Sequence, residues 1–145
     1  MKAFVAKSQG VMKEYVGNKI DLTRDSETGL GVAKFTQPVL IQKLRDMLGD
    51  DETSKRVPTT PAKPGEVIHN GDGLNPMESG DASYFRSMTA LTMYMMQWSW
   101  PEISNGSRSC ARVISNPQVG HIDSIKHLAR YMVGTPNRGL VLAPK

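Results

Sequence analysis

The stretch from Asp50 to Gly80 constrains this chain more than any other feature. It holds Pro58, Pro61, Pro64 and Pro76, with glycines interspersed from Gly65 onward, and shows neither helical nor strand periodicity. Thr59-Thr60-Pro61 and Lys63-Pro64-Gly65 require extended and turn backbone, because proline fixes its own φ and drives the preceding residue out of the helical region. A structureless run of this length is uncommon inside a compact domain. It reads as a linker or as a strap laid across a neighbouring surface. Either way, it separates two zones of different pattern.

Ahead of it, Val11 to Leu22 alternates loosely with β-branched and aromatic residues, which favours a strand. Asp25-Ser26-Glu27-Thr28-Gly29 supplies turn chemistry, and Gly31 to Thr36 resumes the alternation, so a hairpin is expected. Pro38 is a favoured first helical residue. Val39, Leu40, Leu44, Met47 and Leu48 then give one apolar helix face, closed by Gly49.

Behind the stretch the period becomes helical. Ser79 or Asp81 can cap a helix with Tyr84, Phe85, Met88, Leu91, Thr92, Met95 and Met96 along one stripe. Such a stripe marks core rather than a cofactor pocket, and methionine fills irregular gaps well. Trp98-Ser99-Trp100-Pro101 breaks this helix. A second is expected from Pro101 to Ser115, with Ile103, Cys110, Ala111 and Ile114 on one face and Arg108 and Arg112 on another. Asn116-Pro117 precedes a third. There Ile122, Ile125, Leu128, Ala129, Met132 and Val133 face inward, with Asp123, Lys126, His127 and Arg130 on the flank.

The pattern predicts an α+β chain with an N-terminal hairpin and helix (1–49), a flexible strap or linker (50–80), a three-helix unit (81–136) and a short closing strand (137–145). Charge follows these divisions. Residues 1–50 carry 8 basic and 6 acidic groups, residues 51–80 carry 3 and 5, and residues 81–145 carry 7 and 3. A net charge of +4 is slight evidence for nucleic acid. Its placement makes Arg108, Arg112, Lys126 and Arg130 the candidate phosphate-binding residues, against the plainer reading of solvated helix faces. One cysteine closes no disulfide within the chain, and no apolar run approaches the ~20 residues that span a bilayer. The reading is a soluble intracellular chain, cytoplasmic or nuclear, with no membrane partner.

No glycine-rich phosphate loop, Cys/His metal spacing or nucleophile elbow is present. His69 alone offers no metal-site spacing and reads as a solvated loop residue. Asp50-Asp51-Glu52 lies in a turn-like setting where solvation accounts for it. Two-metal phosphoryl transfer needs carboxylates clustered to hold a pair of cations, and no such cluster is legible here.

The order of segments resembles the reverse transcriptase region of copia-type LTR retrotransposon Pol polyproteins. Met12-Lys13-Glu14-Tyr15-Val16-Gly17-Asn18-Lys19-Ile20 is similar to the L-x-x-F-L-G-I-x-I stretch that follows the family's catalytic Tyr-x-Asp-Asp hairpin. Phe35 to Gly49 is similar to L-x-Q-x-x-Y-I-x-x-L-L-x-x-F, and Pro58-Thr59-Thr60-Pro61 to the Thr-Pro strap. Tyr84 to Leu91 resembles Y-R-S-x-V-G-S-L with one residue inserted, and Trp98 to Ile103 resembles the S-R-P-D-I element. Ser115-Asn116-Pro117, His121 and Lys126 to Pro136 resemble M-S-x-P, H and R-x-L-R-Y-L-x-G-T. Three positions depart: Trp100 stands where the family has arginine, Asn18 occupies an apolar or small position, and the glycine expected near Ala90 is missing.

The resemblance covers most of the chain and implies a piece of a longer reading frame. That piece would begin after the polymerase aspartates and end where Gly139-Leu140-Val141-Leu142 leads toward a tethered ribonuclease H. It implies a thumb-like helical unit that grips an RNA–DNA or DNA template–primer through phosphates, with the rest of the polyprotein as partner. No catalytic residue and no cofactor belong to this segment; magnesium serves the parent polymerase. The alternatives are a stand-alone helical interaction protein and a decayed element without activity.

Overall fold

A computed structural model describes residues 10, 12–69 and 75–143. Val11, where the first strand was expected to open, lies outside them, as do parts of the expected strap and of the closing segment. The expected Val11–Leu22 strand is two strands. Strand β1 (Glu14–Tyr15) turns back at Val16-Gly17 into β2 (Asn18–Arg24). Both turn residues have positive φ, 50° and 77°, as a type I′ hairpin requires. Asn18 is buried in this turn, and its amide donates to the Tyr15 carbonyl at 3.2 Å.

The expected hairpin forms between β2 and β3 (Gly31–Thr36), in register from Lys19 opposite Thr36 to Arg24 opposite Gly31. Its loop is organised by Asp25, whose carboxylate accepts the backbone N–H groups of Thr28 at 2.8 Å and Glu27 at 3.0 Å. Those bonds, the Thr28 amide foremost, hold the Asp25 carboxyl below its ordinary range. The closing strand β4 (Leu140–Leu142) pairs antiparallel with β3, giving a four-stranded sheet in the order β1-β2-β3-β4. A Cβ on Gly139 would lie 2.0 Å from the Phe35 carbonyl oxygen, so this approach needs glycine.

Helix α1 (Pro38–Leu48) buries Ile41, Leu44 and Leu48, while Val39, expected to face inward, is 71% exposed. Val39 sits in the first turn, off the i, i+3, i+7 line of the buried three. A single turn, α2 (Asp50–Thr53), follows. Helix α3 (Ser79–Trp98) starts after Glu78 with no side-chain cap, so neither Ser79 nor Asp81 plays the expected capping role. It buries Phe85, Met88, Thr92 and Met95 along the expected stripe. The Ser99 hydroxyl donates to Gln37 Oε1 at 2.7 Å and ties the end of α3 to the start of α1.

Trp100 is fully buried, so the position where the resemblance expects arginine belongs to the core. The expected Pro101–Ser115 helix is a 3-10 turn at Pro101–Ile103 followed by α4 (Ser104–Arg112). Helix α5 (His121–Gly134) packs against α1, α2, α3 and α4. Its Ile125, Leu128, Ala129 and Met132 join Leu44, Phe85, Met95 and Ile103 in one core cluster. Each large apolar side chain so buried contributes roughly 1.5–3 kcal/mol. The helices are therefore held chiefly by the apolar faces that meet on α5, and α1 shares this core.

The described part of the Pro/Gly-rich stretch lies on the helices. The Thr60 carbonyl accepts a 3.0 Å hydrogen bond from His127 Nε2, which must carry the proton there. Ser124 Oγ donates to Glu66 at 2.8 Å. Pro61 crosses over Gly106, where a Cβ would meet the Pro61 carbonyl oxygen at 3.3 Å. Further on, Met77 N–H donates to the Pro117 carbonyl at 3.0 Å and Val119 N–H to the Asn75 carbonyl at 3.1 Å.

Candidate functional site

The four candidate cations have different surroundings. Arg108 and Arg112 lie one turn apart on α4, whose Gly106, Ser107 and Cys110 are buried. Both arginines are exposed, and neither has an ion-pair partner among the described residues. Lys126 and Arg130 lie one turn apart on α5 and converge on the Glu52 carboxylate of α2. Lys126 Nζ is 3.5 Å from Glu52 Oε1, and Arg130 donates to Oε2. The structure thus brings Lys126 and Arg130 together on one carboxylate, a partner that Arg108 and Arg112 do not share.

Glu52 corrects the reading of Asp50-Asp51-Glu52 as solvated carboxylates. Its side chain is only 14% exposed and accepts a third cation, Lys55 Nζ, at 2.8 Å. The Lys55 hydrogen bond, then those of Arg130 and the charge of Lys126, hold its pKa at about 2 against the opposing effect of burial. One carboxylate against three cations leaves the neighbourhood positive. The only sequence signal was Lys55, three residues on; the α5 partners lie 74 and 78 residues away.

Two other polar groups act within the fold. The Arg86 guanidinium donates to the carbonyls of Ile114 at 3.0 Å and Ser115 at 3.4 Å, satisfying acceptors beyond the end of α4. Cys110 is buried beneath the strap, and burial, with the charge of Glu66, pushes its thiol up to about 12. Such a thiol is inert at neutral pH.

Among the described residues, no group of three His, Cys, Asp or Glu side chains is placed to hold a metal ion. No described helix is long and apolar enough to cross a membrane. A concavity of about 750 Å3 lies against β1 and β2 and mixes Lys13 and Lys19 with Glu14 and Asp21, so its charges balance. The arrangement among the described residues offers cationic surface at Arg108, Arg112 and the Glu52 cluster. Compared with protein-family models, curated proteins and solved structures, the chain matches none.

Proposed function

We propose that the chain is the part of a copia-type LTR retrotransposon reverse transcriptase that follows the catalytic Tyr-x-Asp-Asp hairpin. It carries no catalytic centre of its own and grips template–primer through phosphates without reading sequence. The observation that carries this reading is the ordered series of segments from Met12 to Pro136, whose spacing follows the family pattern over most of the chain. Two features of the fold support it. The Thr-Pro strap is anchored on α5 through Thr60 and His127. Arg108 and Arg112 also remain exposed, as phosphate contacts require.

One observation favours the rival reading of a helical interaction protein. Lys126 and Arg130 already have an internal partner in Glu52, so part of the basic surface serves the fold. Sequencing the genomic DNA and transcripts on either side of this frame separates the two readings. An upstream frame encoding Tyr-x-Asp-Asp and a downstream ribonuclease H frame are expected. Flanks unrelated to either would leave the interaction protein as the better account.

A further inference from the structure

Beside the Glu52 cluster open two adjoining depressions that share Val57 and Arg130 as a common wall. One, of about 510 Å3, is bounded by Arg45 of α1, Lys55 and Arg130. The other, of about 410 Å3, is bounded by Arg56, His127 and Arg130. No acidic side chain lines either depression among the described residues. We propose that this two-lobed cleft is a phosphate-binding site, with Arg45 and Lys55 serving one lobe, Arg56 the other, and Arg130 both.

Donor chemistry selects the ligand. The hydroxyls of Thr53 and Ser54, which also line the first lobe, donate to the carbonyls of Asp50 at 3.0 Å and Asp51 at 2.9 Å. The side-chain donors left over in that lobe are therefore cationic, which suits an oxyanion rather than a neutral polar ligand. Arg45 and Arg56 are exposed and have no ion-pair partner among the described residues. Arg130 gives one N–H to Glu52, and its Nε–H is buried without an acceptor. A guanidinium presents five donors in a fixed fork, so most of this one is uncommitted. Glu52 neutralises only one of the three charges that reach it. Val57 and Val133 supply apolar walls, and an anion seated against them feels these cations less screened than in open water.

Each lobe is far larger than one phosphate group, and two lobes on one wall fit two linked or neighbouring phosphates. Their source is either successive phosphodiesters of a nucleic-acid strand or free diphosphate, and the chemistry of recognition is the same for both. The cleft uses cations on α1 and the strap that differ from the exposed pair on α4. Its existence does not depend on the reverse transcriptase reading.

The full chain is titrated with inorganic pyrophosphate while the arginine Nε–Hε signals are followed by NMR. A saturable shift of Arg130 together with Arg45 or Arg56 is expected, with Arg108 and Arg112 unmoved. The exposed double variant R45A/R56A, which leaves the Glu52 cluster intact, should lose the Arg130 shift while remaining folded. A second arm measures affinity for an RNA–DNA hybrid against salt. If a strand supplies the phosphates, R45A/R56A flattens the slope by roughly 1.4 to 1.8 units, at 0.7–0.9 per lost contact. A saturable pyrophosphate shift with no change of slope assigns the site to free phosphate. Absence of any saturable shift, or one confined to Arg108 and Arg112, overturns the proposal.

Discussion

Val16 is a β-branched residue held at φ 50°, a conformation that costs an L-residue with a branched side chain roughly 1–2 kcal/mol. The Tyr94 hydroxyl, donating to its carbonyl at 2.7 Å, helps hold the turn in place. Asparagine is preferred at this position before glycine in a type I′ turn. Val16→Asn should therefore raise stability by about 1 kcal/mol, a melting shift of roughly 3–5 °C by calorimetry. A lower melting temperature would mean that the valine side chain contributes more through packing than the turn gains. At Glu52 the sign runs with acid. Its folded pKa of about 2 lies below the ordinary 4.5, so its contribution is complete above about pH 4.5 and is lost as pH falls toward 2. Glu52→Gln should cost roughly 1.5–3 kcal/mol at pH 7. The gap between variant and parent in denaturant midpoint should close across that acid window. A gap independent of pH would show that the carboxylate's charge is irrelevant. Neither residue could have been picked out beforehand. Val16 looks like an ordinary strand residue, and the α5 partners of Glu52 are separated from it by most of the chain.

Elements were legible wherever burial imposed a period. Helices α3 and α5 each carry an apolar stripe, and most of their buried residues fall along it, with Ala82, Thr89, Ser124 and Tyr131 buried beside it. Helix α4 is shorter than its pattern suggests, because Pro101 starts a 3-10 turn and the inward face relies on Gly106 and Ser107. Small residues let Pro61 approach closely but leave no hydrophobic signature. The strap's placement is testable at Gly134, where an added Cβ would sit 2.3 Å from Val57 Cγ1. Alanine for glycine at a helix position normally stabilises by about 0.5–1 kcal/mol. Here overpacking should reverse the sign, and Gly134→Ala should destabilise by roughly 1–3 kcal/mol. In a Val57→Ala background the same change should be neutral or stabilising, a non-additivity measured by a double-mutant cycle. Additive effects would place Val57 away from Gly134. Gly139→Ala meets a backbone oxygen that cannot swing aside. Amide exchange should speed up across β4 and stay unchanged in α5, whereas unchanged β4 protection would refute the β3–β4 pairing.

At the scale of the whole molecule, the N-terminal unit and the helical unit are distinct in sequence yet share a core, because α1 turns Ile41, Leu44 and Leu48 into the cluster built on α5. Periodicity gave the inward face of each helix but not which helices would meet, and so could not show that α2 would bring Glu52 to Lys126 and Arg130. The candidate site was legible to the same degree. Helical spacing pairs Arg108 with Arg112 on α4 and Lys126 with Arg130 on α5, whereas the gathering of Arg45, Lys55 and Arg56 beside Arg130 depends on the path of the strap. The proposed function is a grip on a nucleic-acid duplex through its phosphates alone. It is tested most directly by titrating the intact chain with an RNA–DNA hybrid and with a scrambled sequence across a range of salt. Equal affinity for both sequences is expected, with a slope of log affinity against log salt of roughly −3 to −4, as four phosphate contacts require. Absence of binding at low salt, a slope near zero, or a marked preference for one sequence would contradict it.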